Sequence, residues 1–502
     1  MRKIPVTMAT QHPDNAFPSI FSGERFVTAR DEIEECYKCF FELGVDEYMW
    51  DWEGKLVDEA VIDRLYQKYY DTFQRTPLGK EKFLTFRIPN IWEEPSYRLP
   101  RAFMNLLSAE QAAKSMNLHT PPLFEIILPM TTRADQLTYL HESFEKIARA
   151  TSEIFETEGE LKHINVIPLF EEAETMADGH NILATYVEFL EKARGATPEY
   201  LRVFIARSDP AMNAGLIPCM LAVKSALSSY HEFGKSKGIE MYPWIGGGSL
   251  PFRGGINPHN VQPSIEEYKG AASITIQSAF RFDYPVEEVK RAIGQYNIQL
   301  PQKRHQYISI TPEEHEAIKM FNRKAIPVFQ HTIEEIADLI NAVAEKMPNH
   351  RERVQHIGIF GYSRGVGKVK LPRAIKFCGA LYSVGVPPEF IATGRVLRLA
   401  EEMGMLPLVK KLYVNIKADF LHAGHYVNWE NLSALAAKNS AWKDIEADIR
   451  LVEEMLEVPI GPVECHHLIH RNFSSNIFQK MNIGEDISGD ILRAAEIRRS
   501  LG

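Results

Sequence analysis

Two acids and one glycine-rich loop stand at the ends of three apolar runs in the middle of this chain. Ile164–Phe170 runs into Glu171, Leu201–Ala206 is followed by Asp209, and Met241–Ile245 opens into the loop Gly246–Gly255. Two carboxylates facing one pocket are hard oxygen ligands of the kind that suit Mg2+ or Mn2+. Such ions keep waters and complete their shell from an anionic substrate. The loop has five glycines around Arg253. Glycine permits close backbone approach, successive N–H groups can cradle an anion, and the arginine fork fits phosphate or carboxylate. Other readings stay open at each position. Acids at a helix start complement its dipole, which covers Glu172 and Glu174 well and Glu171 less well. Asp209 could be a helix N-cap, and a glycine run could be a plain loop.

Other positions carry weaker chemistry. Gly361–Lys368 is a second glycine and basic loop, but its spacing is not that of a Walker A motif, and a mobile anion-contacting lid is expected there. Arg364 lies in it, and Arg373 follows at an expected helix start. His12 stands just after the first short apolar run. Cys36 and Cys39 form a CxxC without a partner pair. Cys465, His466, His467 and His470 lack the second half of a metal site, as do His422 and His425, and a structural or interfacial role is expected for them.

The elements that must hold these groups follow from the pattern. Short apolar runs recur at Val6–Ala9, Glu47–Trp50, Phe83–Phe86, Leu123–Leu128, Ile164–Phe170, Leu201–Ala206, Met241–Ile245 and Ser273–Gln277, with His356–Phe360 as a ninth candidate. Helical periodicity fills most gaps, as at Asp178–Ala193 and Asn213–Gly234. Eight strands alternating with helices predict an α/β fold, a (β/α)8 TIM-type barrel with extensive additional helices. Counting from Val6 puts the glycine loop after strand seven, where such barrels often bind phosphate. Residues 1–285 are expected to form the barrel core. Residues 286–502 read as mainly helical, with helices at Thr332–Met347, Pro387–Glu402, Ile445–Leu456 and Asp490–Leu501. No linker separates this part, so one integrated catalytic unit is expected, with the second part packed on the barrel and carrying the 361–373 loop.

Composition excludes some classes. The net charge of −9, from 66 acidic and 57 basic residues, argues against a nucleic-acid binder. No apolar run approaches ~20 residues, so no membrane span is expected. The opening residues lack an apolar core of signal-peptide length, and five scattered cysteines fit a reduced, cytoplasmic setting.

Several segments together resemble phosphoenolpyruvate carboxylase, in its short archaeal-type branch. They are Thr7–Ala16 around His12, Pro168–Glu171, Ser208–Gly215 and Gly247–Gly255. Further along are Thr275–Gln277 with Arg281, Ser363–Arg364, Leu371–Ile375 and Ile416–Asp419, in the family's order. The resemblance implies a (β/α)8 barrel, Mg2+ or Mn2+, usually a homotetramer, and formation of oxaloacetate and phosphate from phosphoenolpyruvate and bicarbonate. It implies a route through carboxyphosphate and a metal-stabilised enolate. Residue by residue, it implies that Glu171 and Asp209 bind metal and that His12, Arg253, Arg364 and Arg373 are catalytic. Arg87, Gly254, Gly255, Gln277 and Arg281 would bind substrate, and Lys417 and Arg471 would match an aspartate effector site. The chain departs from the long enzymes at Ile245, Gly247 and Met212, and Ser500 stands where they end in an asparagine. Their N-terminal regulatory serine segment is missing, so phosphorylation control is not expected. Two alternatives remain: another divalent-metal barrel lyase or mutase acting on phosphoenolpyruvate or pyruvate, and a catalytically silent effector-binding scaffold.

Overall fold

The computed structural model describes residues 2–11, 27–28, 30–53, 57–93, 97–155, 159, 161–348, 364–366 (backbone only) and 368–500. His12, the ninth strand candidate His356–Phe360 and most of the Gly361–Lys368 loop lie outside these residues.

Eight parallel strands close into a barrel in sequence order. They are β1 (Thr7–Ala9), β2 (Glu47–Asp51), β3 (Phe83–Arg87), β4 (Glu125–Leu128), β5 (Asn165–Phe170), β6 (Tyr200–Ala206), β7 (Glu240–Gly246) and β8 (Ser273–Ile276). The eight runs read from Val6 onward are these strands. Helices cover the outside and side chains fill the inside, so almost every strand residue is buried and the runs read as nearly unbroken apolar stretches. β6 and β7 stay in register over seven pairs, from Tyr200 with Glu240 to Ala206 with Gly246, and Met8 paired with Thr275 closes the ring.

Charge fills one layer of the interior. Arg202 on β6 donates to Glu47 on β2 (2.9 and 2.6 Å) and to Glu125 on β4 (2.7 Å). Alternate strands share a layer in such barrels, and these three residues come from strands two, four and six. Phe204 stacks on Trp244 with ring centres 4.0 Å apart. Because side chains alternate along a strand, Phe204 and Ala206 point inward in the same sense as Arg202, one and two steps nearer the C-terminal mouth.

The helices begin and end for local reasons. Ala173–Arg194 stops at Gly195 (φ 70°) and Leu216–Lys237 at Gly238 (φ 69°), each a left-handed cap. Leu216–Lys237 is buried on most sides, as expected for a helix apolar all round. The expected helix Asn213–Gly234 is interrupted: Gly215 (φ 85°, ψ 165°) separates Ser208–Ala214 from Leu216–Lys237, and a side chain there would press on Phe329. Beyond the barrel, Pro312–Glu345 runs 34 residues, about 50 Å at 1.5 Å per residue. Thr311 and Glu314 form its capping box and Pro312 opens it. It packs on Leu216–Lys237 and on Ala374–Ser383. The expected helix Pro387–Glu402 starts only at Thr393. The two prolines set a short 3-10 turn, Pro388–Phe390, and Ala392 turns through φ 61°. A hairpin, β9 (Arg364–Val366) with β10 (Val369–Leu371), precedes Ala374–Ser383.

Candidate active site

The C-terminal ends of the strands converge on one cavity of about 70 Å3, room for a small anion and a few waters. Its charged lining is Arg87, Glu171, Asp209, Arg253 and Arg373, with Gln277 among them. Apolar walls come from Met49, Leu169, Phe204, Ala206 and Ile375. The polar groups come from β3, β5, the turn after β6, the loop after β7, the end of β8, and the start of Ala374–Ser383.

Each is held by a nameable device. Glu171 follows β5 directly, is buried, and accepts the Met130 N–H at 2.9 Å. Met130 holds φ 51°, an uncommon conformation for a non-glycine residue. Asp209 lies in the first turn of Ser208–Ala214, one position inside the helix rather than at its N-cap, which is Arg207. Arg87 ends β3 and forks onto Asp51 (2.8 and 2.5 Å), with Glu53 at 2.9 Å. Burial disfavours its charge, but Asp51 and Glu53 outweigh that and keep it firmly protonated.

The glycine loop folds back on itself. Gly248 N–H donates to Arg253 O (2.8 Å), and Gly247 exchanges hydrogen bonds with the Thr275 hydroxyl (2.9 and 2.8 Å). The Arg253 guanidinium lies over Gly248 and donates to Gln277 Oε1 at 2.5 Å. A Cβ on Gly248 would stand 2.8 Å from both that guanidinium and Gln277. Behind the loop, the fully buried Arg207 donates to Pro251 O (3.3 Å) and to the Tyr268 hydroxyl (3.2 Å), which donates on to Gly254 O (2.8 Å). Gly254 itself turns through φ 129°. Gly254 and Gly255 therefore shape the loop and do not line the cavity.

Three expected site residues lie elsewhere. Arg281 does not line the cavity: it donates to Glu35 (3.1 Å), Cys39 (3.2 Å) and Thr10 O (2.6 Å), anchoring the exit of β1. Gln11 adds to that anchor, accepting the Asp51 N–H at 2.9 Å and donating to Glu32 at 2.9 Å. These fix the residues just before His12, which itself is outside the described residues. Lys417 is exposed and pairs with Glu457 (3.1 Å), and Arg471 donates to Asn472 (3.2 Å); neither lines the cavity. Arg364 has its backbone in β9. In Cys465–Ile483, His467 meets the His425 ring at a tilt, and His467 and His470 both meet the Tyr426 ring edge-on. Among the described residues no cluster of three His, Cys, Asp or Glu is placed to hold a metal.

The family profile described as phosphoenolpyruvate carboxylase matches residues 4–502. The chain belongs to the phosphoenolpyruvate carboxylase family. The carboxylase of Oenococcus oeni is 41% identical over 95% of this chain and 94% of its own length. That of Leuconostoc mesenteroides is 39% identical over 100% and 99%. An archaeal carboxylase, from Metallosphaera sedula, is 36% identical over the whole of both chains. A solved Haloferax volcanii malate synthase, at 12% identity and TM-score 0.36 over 69% of this chain and 96% of its own, is too distant to bear on function. This is therefore an enzyme family built on a (β/α)8 barrel, and no helix among the described residues is long and apolar enough to cross a membrane.

The residues that hold this cavity together were not singled out from the sequence. Asp51 had a signal: it is an acid at the end of β2, the same position that marks Glu171 on β5. Arg207 and Met130 had none, because their partners are set by the chain's path through space.

Proposed function

We propose that this chain makes oxaloacetate and phosphate from phosphoenolpyruvate and bicarbonate, with the chemistry in the cavity that Glu171, Asp209, Arg87, Arg253 and Arg373 share. The convergence of two carboxylates and three arginines at one barrel mouth carries this reading. Two carboxylates with no third protein ligand among the described residues fit Mg2+ or Mn2+, which retain waters and take oxygen from the substrate. Held by Glu171 and Asp209, such an ion would supply positive charge to the substrate carboxylate and enol oxygen.

The arginines present a fixed cationic wall to the phosphoryl group while a bicarbonate oxygen attacks phosphorus and the bond to the enol oxygen breaks. That step yields carboxyphosphate and the enolate of pyruvate. His12 takes the carboxyl proton as carboxyphosphate divides into CO2 and phosphate. The enolate carbon then attacks CO2. Met49, Leu169, Phe204 and Ile375 form a dry wall that limits enolate protonation, which would give pyruvate instead. A homotetramer in the cytoplasm accompanies this reading through the family resemblance.

The test is bicarbonate-dependent oxaloacetate formation, read through malate dehydrogenase, with Mg2+, with Mn2+ and with chelator. Activity should need both bicarbonate and metal. Turnover of phosphoenolpyruvate that ignores bicarbonate would point to a lyase or mutase on the same barrel.

A further inference from the structure

The turn that carries Arg253 satisfies much of its own backbone. Arg253 N–H donates to Leu250 O (2.9 Å), Gly254 N–H to Pro251 O (3.0 Å) and Gly255 N–H to Leu250 O (2.9 Å). Pro251 has no N–H, so Phe252 carries the first amide of this 3-10 turn, a donor with no acceptor inside its own turn. It donates instead to Glu389 Oε1 at 2.9 Å, across 137 residues of sequence. The same oxygen accepts the Tyr382 hydroxyl at 2.9 Å. Glu389 is fully buried, and among the described residues its Oε2 has no hydrogen-bond partner.

One helix ties these contacts together. Ala374–Ser383 has Arg373 at its N-cap, Phe377 packed against the Phe252 ring (centres 5.7 Å apart), and Tyr382 near its end. Arg373 and Arg253 both line the cavity. A buried carboxylate with one unmatched oxygen is costly, and an apolar side chain would fill the space more cheaply. Burial pushes the Glu389 carboxyl up to about 7, against the Phe252 amide, Tyr382 and Arg207. Stability therefore does not account for the acid, whereas holding one backbone amide beside Arg253 does.

We propose that Glu389 is a positioning residue: through Phe252 it sets Arg253 over the cavity, and through Tyr382 it fixes Arg253 relative to Arg373. This rests on the reading that both arginines face the anionic substrate. A small misplacement of such groups costs turnover more than binding.

Glu389→Leu, Glu389→Gln, Tyr382→Phe and Arg253→Ala are compared in the full-length enzyme by steady-state kinetics and melting temperature. Glu389→Leu should lower kcat about tenfold or more with a smaller change in KM for phosphoenolpyruvate. Glu389→Gln, which keeps the acceptor oxygen, should recover most of that loss. The glutamine variant should melt close to the wild type. Wild-type kcat in the leucine variant, a glutamine variant as impaired as the leucine one, or kcat falling in step with melting temperature would each overturn the proposal. Should the leucine variant not fold, Tyr382→Phe decides: a severalfold fall in kcat at unchanged melting temperature supports the proposal, and wild-type kcat overturns it. If Arg253→Ala keeps full activity, the site reading itself fails. If it is inactive while Glu389→Leu is not, only this inference fails.

Discussion

Asp209 and Glu171 enter the cavity differently, and that difference predicts how each tolerates change. Asp209 sits on a helix turn, where replacement leaves the barrel frame untouched. Asp209→Asn should keep its melting temperature and lose roughly hundredfold or more in kcat, with weaker Mn2+ binding in a titration followed by electron paramagnetic resonance. Unchanged activity and Mn2+ affinity would remove Asp209 from the metal site. Arg87 is a fork held on Asp51 and Glu53, so a lysine, with a single point of charge, cannot hold the same geometry. Arg87→Lys should raise KM for phosphoenolpyruvate about tenfold, measured at saturating bicarbonate and Mg2+.

At the scale of elements, the loop after β7 works as a rigid cradle rather than a mobile flap. Thr275, Arg207, Tyr268 and Glu389 grip its backbone from three directions. Gly248 is the position where a side chain would collide with the Arg253 guanidinium and Gln277 together. Gly248→Ala should therefore lower kcat by about one to two orders of magnitude while far-ultraviolet circular dichroism and melting temperature stay near wild type. Full activity would mean that Arg253 can move aside without cost. The Arg281 cluster at the exit of β1 belongs to this scale as well. It reads in sequence as part of a substrate motif and in space as the anchor of the segment before His12.

For the whole molecule, two buried acids behind the loop make stability depend on pH. Burial pushes Asp419 from an ordinary 3.8 up to about 7, and Glu389 from 4.5 up to about 7. Folding thus favours their protonated forms. The stability this brings is fully present below the unfolded values near 4 and is lost as pH rises through about 7. Asp419→Asn keeps an acceptor for the Tyr413 hydroxyl (2.7 Å) but cannot ionise. Its melting temperature should gain on the wild type between pH 5.5 and 8, and parallel curves would place that ionisation elsewhere. Regulation belongs here too. The family resemblance sets Ser500 against an asparagine that helps bind aspartate in the long enzymes, and the Ser500 hydroxyl accepts from Arg498 at 2.9 Å. One lost hydrogen bond to a charged group costs about 1.5–3 kcal/mol, so aspartate inhibition should be weak, in roughly the millimolar range. Submillimolar inhibition in a steady-state titration would contradict this.

The sequence by itself determined the fold class, nine strand candidates with the barrel's eight among them, and the strand ends that present Glu171, Asp209 and the glycine loop; the closed barrel shows which eight. These are local features: an apolar run buried on both faces, a helix of matching length, and a polar residue where the run stops. It also carried the family, because motifs in fixed order survive without any knowledge of contacts. Only the tertiary structure decided which polar residues meet. Asp51 under Arg87, Arg207 behind the loop, Met130 against Glu171 and Glu389 on the Phe252 amide each join segments far apart in the chain. Asp51 alone is marked, as an acid at a strand end; nothing in the neighbours of the other three marks them, since a buried group reveals its role only through the partner that neutralises or hydrogen-bonds it. The same reason explains why Arg281, read from its motif, was expected at the substrate. Its spacing from Gln277 is a helical turn, which suggests a shared face, but its guanidinium is taken by Glu35 and the Thr10 carbonyl and does not line the cavity.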